Sequence, residues 1–148
     1  MRLAFVCLLV GVAVIPGKAA EPDPAKKDLD ALQGEWAIEA LEYNGKDLKG
    51  KFKIAFTFKK DVLVVEGDGE VRKEYAKLKL KLDAGTNPKC VDLTVADGIQ
   101  KDAVLEGLYE LKGDELRLCV KVFGKDRPGE FKSPEGSSIA LLTLKRQK

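Results

Sequence analysis

From Lys77 to Leu82 the chain alternates without a fault, with Lys77, Lys79 and Lys81 on one side and Leu78, Leu80 and Leu82 on the other. A strand repeats its side-chain direction every two residues, so this spacing gives one charged face and one apolar face. A helix would scatter the leucines around its axis. The same period runs through most of the chain. Phe52, Ile54, Phe56 and Phe58 alternate with Lys51, Lys53, Ala55 and Thr57, and Val91, Leu93 and Val95 alternate with polar residues. Trp36, Ile38 and Ala40 begin the series in a first strand that the Asn44-Gly45 turn ends. Val62 to Val65 forms a short third strand, and Gly67, Asp68 and Gly69 give a hairpin signal leading into a fourth segment, Glu70 to Leu82. Val104 to Leu111 and Leu116 to Val122 are joined across Lys112, Gly113 and Asp114, a link tight enough to force an antiparallel pair. Ile139 to Leu144 is the last strand.

Strands that follow one another through short polar links, each with one apolar face, close most economically into a barrel, because closure removes exposed edges. The expected fold is therefore all-β: an eight-stranded antiparallel up-and-down barrel, with a two-sheet sandwich as the alternative. A short N-terminal helical turn precedes it, capped by Asp28, with Leu29 and Leu32 on one face and Gly34 as its end. The long connection from Gly124 to Ser138 carries a type II turn signal at Pro128 and Gly129.

The N-terminus has a different grammar. Met1 and Arg2 precede an unbroken apolar run, Leu3 to Ile15, that Pro16 and Gly17 terminate. The run is too short for a span of about 20 residues, and small residues follow it, so residues 1–20 read as a cleavable secretory signal peptide. Residues 21–27, with Pro22 and Pro24, read as a flexible leader, and residues 28–148 as the barrel domain. The product is expected to be exported, periplasmic or extracellular, with no stable membrane anchor. Cleavage would remove Arg2 and Lys18 and leave the remaining bases and acids equal in number. That balance gives no general attraction to nucleic acid, and a monomer is expected.

Cys90 and Cys119 are the two cysteines beyond the leader. A meander sets one strand between them, about 9.5 Å apart, beyond the roughly 7 Å that a disulfide spans. Free, partly shielded thiols are expected, with a bridge as the alternative. There is no histidine. That removes Ser-His-Asp and Cys-His catalysis and the commonest transition-metal ligand. The run Glu66, Gly67, Asp68, Gly69, Glu70 lacks the acid a calcium loop needs at its twelfth position, where Lys77 stands. The glycines fall at turns rather than in a phosphate-binding loop. No catalytic residue, metal or cofactor is expected, and the chain does not read as an enzyme.

Several segments together carry a family resemblance: LDALQGEW with the following NGK turn, LYELKGDELRLC, GKDRPGEF and the closing LLTLKR. The chain resembles a family of small exported proteins of unknown function, lipocalin-like and abundant as paralogues in planctomycete bacteria. Gly34, Glu35 and Trp36 also match the glycine-any-tryptophan motif that opens the first lipocalin strand. The resemblance implies that a basic residue late in the last strand, Arg146, packs over Trp36 and closes the barrel floor. Gly34, Trp36 and Arg146 are thus candidate closure residues. It also implies a small apolar ligand inside the barrel, although Ile38, Phe52, Phe56, Phe58 and the inward leucines are bulky enough to leave little room. The alternative is a protein-binding module, such as an inhibitor of a secreted hydrolase, acting through residues 21–27 or the loops. In the long connection, Phe131 is expected to plug a barrel mouth as a lip, with Arg127 paired to a carboxylate. The lysines of 77, 79 and 81 read as a solvated outer face.

Overall fold

The computed structural model describes residues 23–67 and 69–147, so residues 1–20, expected as a signal peptide, and Glu21 and Pro22 of the expected leader lie outside the described residues. Helix α1 (Pro24–Leu32) is followed by β1 (Gly34–Tyr43), β2 (Lys46–Asp47), β3 (Ile54–Lys59), β4 (Val62–Gly67), helix α2 (Glu70–Glu74), β5 (Lys77–Asp83), β6 (Lys89–Asp97), β7 (Val104–Lys112), β8 (Glu115–Lys121) and β9 (Ile139–Arg146). All pairings are antiparallel; β1 pairs with β3, each strand from β3 to β9 pairs with the next, and β9 returns to pair with β1 from Trp36↔Arg146 to Tyr43↔Ala140. The result is a closed, eight-stranded up-and-down barrel of lipocalin-like architecture, with β2 as an extra two-residue strand on the far end of β1.

Alternation places the apolar set inside. Phe56, Phe58, Leu63, Val65, Leu78, Leu80, Val91, Leu93 and Val95 form one buried cluster with residues of β7, β8 and β9. Lys77, Lys79 and Lys81 stand exposed outside, and Lys79 reaches Asp61 at 3.9 Å. One bulge breaks the pattern. The register of β1 against β9 shifts between Ile38 and Ala40, so Ala40 faces out opposite Thr143 and Leu41 faces in opposite Leu142. Simple alternation had Ala40 inward with Ile38; the extra residue, Glu39, reverses that.

Two segments differ from their sequence reading. Glu70 to Glu74 is helical rather than the start of a strand, because Val71 and Tyr75 both pack on the core at helical spacing while Arg72 and Lys73 take the solvent side. Helix α1 begins at Pro24, with the Asp23 carboxylate accepting from the Ala25 N–H at 3.0 Å. Pro24 to Lys27 are therefore helical, not a loose leader, since Pro suits a first helical turn. Asp28 lies inside the helix instead of capping it.

Helix α1 crosses one end of the barrel and seals it. The Gln33 side chain grips the β3–β4 turn, accepting from the Lys60 N–H at 2.6 Å and donating to the Lys60 carbonyl at 2.8 Å. Trp36, fully buried, donates from Nε1 to the Leu32 carbonyl at 2.8 Å and meets Phe58 edge-on. The Arg146 guanidinium lies 4.5 Å from the Trp36 ring centroid and donates to the carbonyls of Gln33 and Ala31 and to the Asp114 carboxylate. Gly34 supplies the positive φ, +116°, that turns the chain from helix into β1 beside this guanidinium. On the other side of the seal, Asp28 accepts from Tyr109 Oη at 2.7 Å and pairs with Lys89 Nζ at 2.8 Å.

Two outcomes follow for the sealed end. Arg146→Ala should lower the unfolding free energy by about 2–4 kcal/mol, since it removes a cation–π contact and leaves helix carbonyls unpaired. Arg146→Lys should recover less than half of this, because lysine lacks the planar fork. Urea titration followed by Trp36 emission measures both. Burial, then the hydrogen bond to Asp28 and its charge, push the Tyr109 phenol well above its ordinary 10.0. A raised folded value means the protonated phenol stabilises the fold below pH 10 and that stability drains away as pH climbs beyond it. Tyr109→Phe should therefore flatten the alkaline arm of the stability profile, and an unchanged arm would refute the assignment.

Candidate ligand-binding cavity

Strand direction divides the barrel into two ends. At the sealed end lie α1, the β3–β4 and β7–β8 turns and the β5–β6 loop; at the other lie the β1–β3 connection, α2, the β6–β7 loop and the long β8–β9 connection. Large side chains fill the sealed half, where Trp36, Phe58, Leu116 and Leu144 are all buried. Toward the other end the inward positions shrink to Val65, Val120 and Ala140, and an apolar cavity of about 320 Å³ opens there. Bulk alone predicts a filled interior; the taper overrides it, and Phe52 stands at the rim, 38% exposed, ahead of the first residue of β3.

The wall is nearly all hydrocarbon, including Ile38, Leu41, Phe56, Leu105 and Leu142. Its polar members are Tyr43, Glu74 and Tyr75. Burial, then the charge of Glu74 and the neighbouring Tyr43, raise the Tyr75 phenol, as expected where the three gather. Helix α2 holds Val71, Glu74 and Tyr75 at the mouth, and the β6–β7 loop fixes α2 in place. Ile99 and Gln100 N–H groups donate to the carbonyls of Lys73 and Glu74. Gly98, at φ +125°, lies so close that a Cβ there would sit 2.3 Å from the Glu74 carbonyl oxygen. The sequence signal for this element was available in the spacing of Val71 and Tyr75, but the lysine and leucine alternation that follows masked it.

The long connection does not form the lip that was expected of it. It runs along the outer wall as a strap. Arg127 crosses β7 and β6 on the outside, donating to the carbonyls of Gly107 at 2.8 Å and Val91 at 3.1 Å and pairing with Asp92 at 2.5 Å. Phe131 lies under Arg117, 4.8 Å from its guanidinium carbon, and is not among the residues at the mouth. The aromatic at the mouth is Phe123. Gly129 also lacks the positive φ that a type II turn demands at that place. The reason is polar accounting: a strap laid on the wall satisfies its backbone with Cys119 Sγ, Lys121 Nζ and Asn44 Oδ1 and donates from its own Ser133 Oγ to the Ile139 carbonyl of β9, contacts that a lip over an apolar mouth could not make.

The strap also settles the thiols. Cys90 and Cys119 are free, each opposite Leu108 across the intervening β7. Cys119 is fully buried beneath the strap, between the carbonyls of Glu130 and Lys132, and burial raises its thiol pKa. The closure residues Gly34, Trp36 and Arg146 come together at the sealed end, far from the cavity mouth. Among the described residues, no group of His, Cys, Asp and Glu is arranged to hold a metal ion, and no helix is long and apolar enough to cross a membrane. Comparison with protein-family models, with curated proteins and with solved structures finds no significant match to this chain.

If the Arg127 anchor holds the strap, Arg127→Ala should speed alkylation of Cys119 at least tenfold without any comparable acceleration at Cys90. Mass spectrometry of the labelled peptides separates the two sites. Equal Cys119 rates in both proteins would mean that the strap is held without Arg127.

Proposed function

We propose that this protein is a non-catalytic carrier or sequestering protein for a small apolar molecule held in the open half of the barrel. The observation that carries the reading is the cavity of about 320 Å³, lined by hydrocarbon and open at one end. Ligand pockets of ordinary size begin near this volume and combine an apolar wall with a few polar groups. Tyr43, Tyr75 and Glu74 supply those groups at the mouth. Glu74 is the one ionisable carboxylate of the lining, so a fatty carboxylate would bring like charge beside it; a neutral apolar molecule with a hydroxyl or carbonyl head suits the site better. Export and the resemblance to small secreted lipocalin-like proteins belong to the same reading. A hydrolase inhibitor working through residues 21–27 is less favoured, since Pro24 to Lys27 are committed to the helix at the sealed end.

The test uses a neutral, environment-sensitive dye, N-phenyl-1-naphthylamine, together with solvent extraction and mass spectrometry of the purified protein. A single saturable dye site is expected. Ala140→Phe, which fills the cavity from β9, should weaken it at least tenfold, whereas Lys81→Ala on the outer face should leave it unchanged. Absence of any saturable site, with no apolar molecule co-purifying, would refute the reading.

A further inference from the structure

Among the described residues, the exposed large apolar side chains are Phe52, Ile99, Val104 and Phe123, at 38, 72, 49 and 56% exposure. All four stand at the open end. Phe52 precedes β3, Ile99 lies in the β6–β7 loop, Val104 begins β7 and Phe123 follows β8. Phe52 and Phe123 also line the cavity, but Ile99 and Val104 do not, so lining a pocket does not explain the set. Singly scattered surface hydrophobes need no explanation; a set confined to one end of a molecule marks a contact surface.

Charge at the same end is not evenly shared. The β1–β3 connection, residues 44–53, holds Lys46, Lys49, Lys51 and Lys53 against Asp47 alone, with Phe52 between two of the lysines. All four lysines are exposed, and none has an ion-pair partner among the described residues. The other connections there are balanced: Arg72 and Lys73 against Glu70 and Glu74, Lys101 against Asp102, and Lys125, Arg127 and Lys132 against Asp126, Glu130 and Glu135. At the strand ends there, Glu42, Glu66 and Asp97 are further exposed acids among the described residues. The open end is therefore apolar at its rim, with its excess of basic charge confined to the β1–β3 connection.

We propose that the open end docks reversibly on the surface of an anionic lipid bilayer, with Phe52, Ile99 and Phe123 entering the boundary between headgroups and acyl chains and Lys46, Lys49, Lys51 and Lys53 facing lipid phosphates. Apolar side chains at that depth contribute burial, and lysines near the surface add electrostatic attraction. A few such contacts give binding that is weak enough to reverse. Charge complementarity selects this occupant. Lysine is depleted where two proteins meet, and two copies joined rim to rim would set their basic connections against each other. Docking in this pose turns the cavity mouth toward the acyl region, the phase in which an apolar ligand is dissolved. The surface does not depend on the cavity being occupied.

Trp36 is the chain's single tryptophan and sits at the opposite, sealed end, which makes depth measurable in the full-length chain. Phe123→Trp places a second reporter on the rim. Vesicles of phosphatidylglycerol and phosphatidylcholine in a ratio of about 3:7, with brominated acyl chains, quench only a tryptophan that enters the hydrocarbon boundary. Emission of Phe123→Trp should fall at least twofold more than that of the unsubstituted chain, whatever residues 1–20 contribute, because those are common to both. Each lysine near an anionic surface is worth about a fivefold change in partitioning, so Lys49→Glu with Lys51→Glu should weaken it by more than ~10-fold. Ala140→Phe should weaken dye binding at least tenfold yet leave the quenching intact, which keeps failure of the cavity reading distinct from failure of this one. Quenching of Phe123→Trp no greater than that of Trp36 would overturn docking. Equal quenching with pure phosphatidylcholine would overturn the anionic surface. A concentration-dependent dimer dissolved by Phe123→Ser would assign the rim to a second copy instead.

Discussion

Closing a sheet requires its first and last strands to find each other across the whole length of the chain, and here one side chain fixes where they meet. Arg146 ends β9, pairs opposite Trp36 in register, covers its ring and reaches two carbonyls at the C-terminal end of α1. A single guanidinium thereby joins helix, first strand and last strand. Its five donors in a planar fork suit this task, because ring stacking and carbonyl bonding use different faces of the same group. The indole beneath it is fully buried and spends its own N–H on the Leu32 carbonyl, so the seal leaves no buried donor without a partner at this point. Register elsewhere follows from that junction, since in an up-and-down barrel each hairpin inherits its position from the one before.

A seal of this quality matters because the other half of the barrel is hollow. An apolar void of about 320 Å³, were it closed off and empty, would cost on the order of 8 kcal/mol by the cavity dependence of core truncations. That is comparable with the whole net stability of an ordinary domain, about 5–15 kcal/mol. The taper from Trp36 and Phe58 at one end to Val120 and Ala140 at the other thus separates two demands within a single set of strands. One end holds the fold together; the other gives up packing. The thinnest pairing in the wall, between β4 and β5 over Val62 to Val64 alone, also lies where α2 is inserted beside the mouth.

Period-two alternation made most of the wall legible, because one charged and one apolar face leave a strand only one way to sit. It could not show where the period breaks. The bulge at Glu39 exchanges Ala40 for Leu41 on the inner face, and both residues are apolar, so composition gave no warning. The helical turn at Glu70 to Glu74 is short, and its signal, Val71 with Tyr75, is two residues wide. Trp36 and Arg146 were readable as closure partners because the resemblance linked the two ends of the chain. The course of the strap was not readable, since it depends on carbonyls of Val91 and Gly107 that any strand would offer. The cavity escaped for a related reason: volume is the difference between a wall and its filling, and the sequence specifies only the filling.

The strap explains an asymmetry in the outer wall. Strand β5 presents lysines to solvent, whereas on β7 and β8 the outward residues Leu108 and Cys119 are buried. Uncovered, that pair would leave an apolar strip on the wall. Arg127 and the buried Pro128 cover it, and the strap's second half returns to the Asn44-Gly45 turn, where Ser138 N–H donates to Asn44 Oδ1. The long connection therefore hides apolar surface on the side of the barrel while its first aromatic, Phe123, leaves apolar surface exposed at the rim. A chain selected only for solubility would have buried both. Concealment on the wall and exposure at the mouth, within one connection, place the apolar contact surface at the end where the cavity opens.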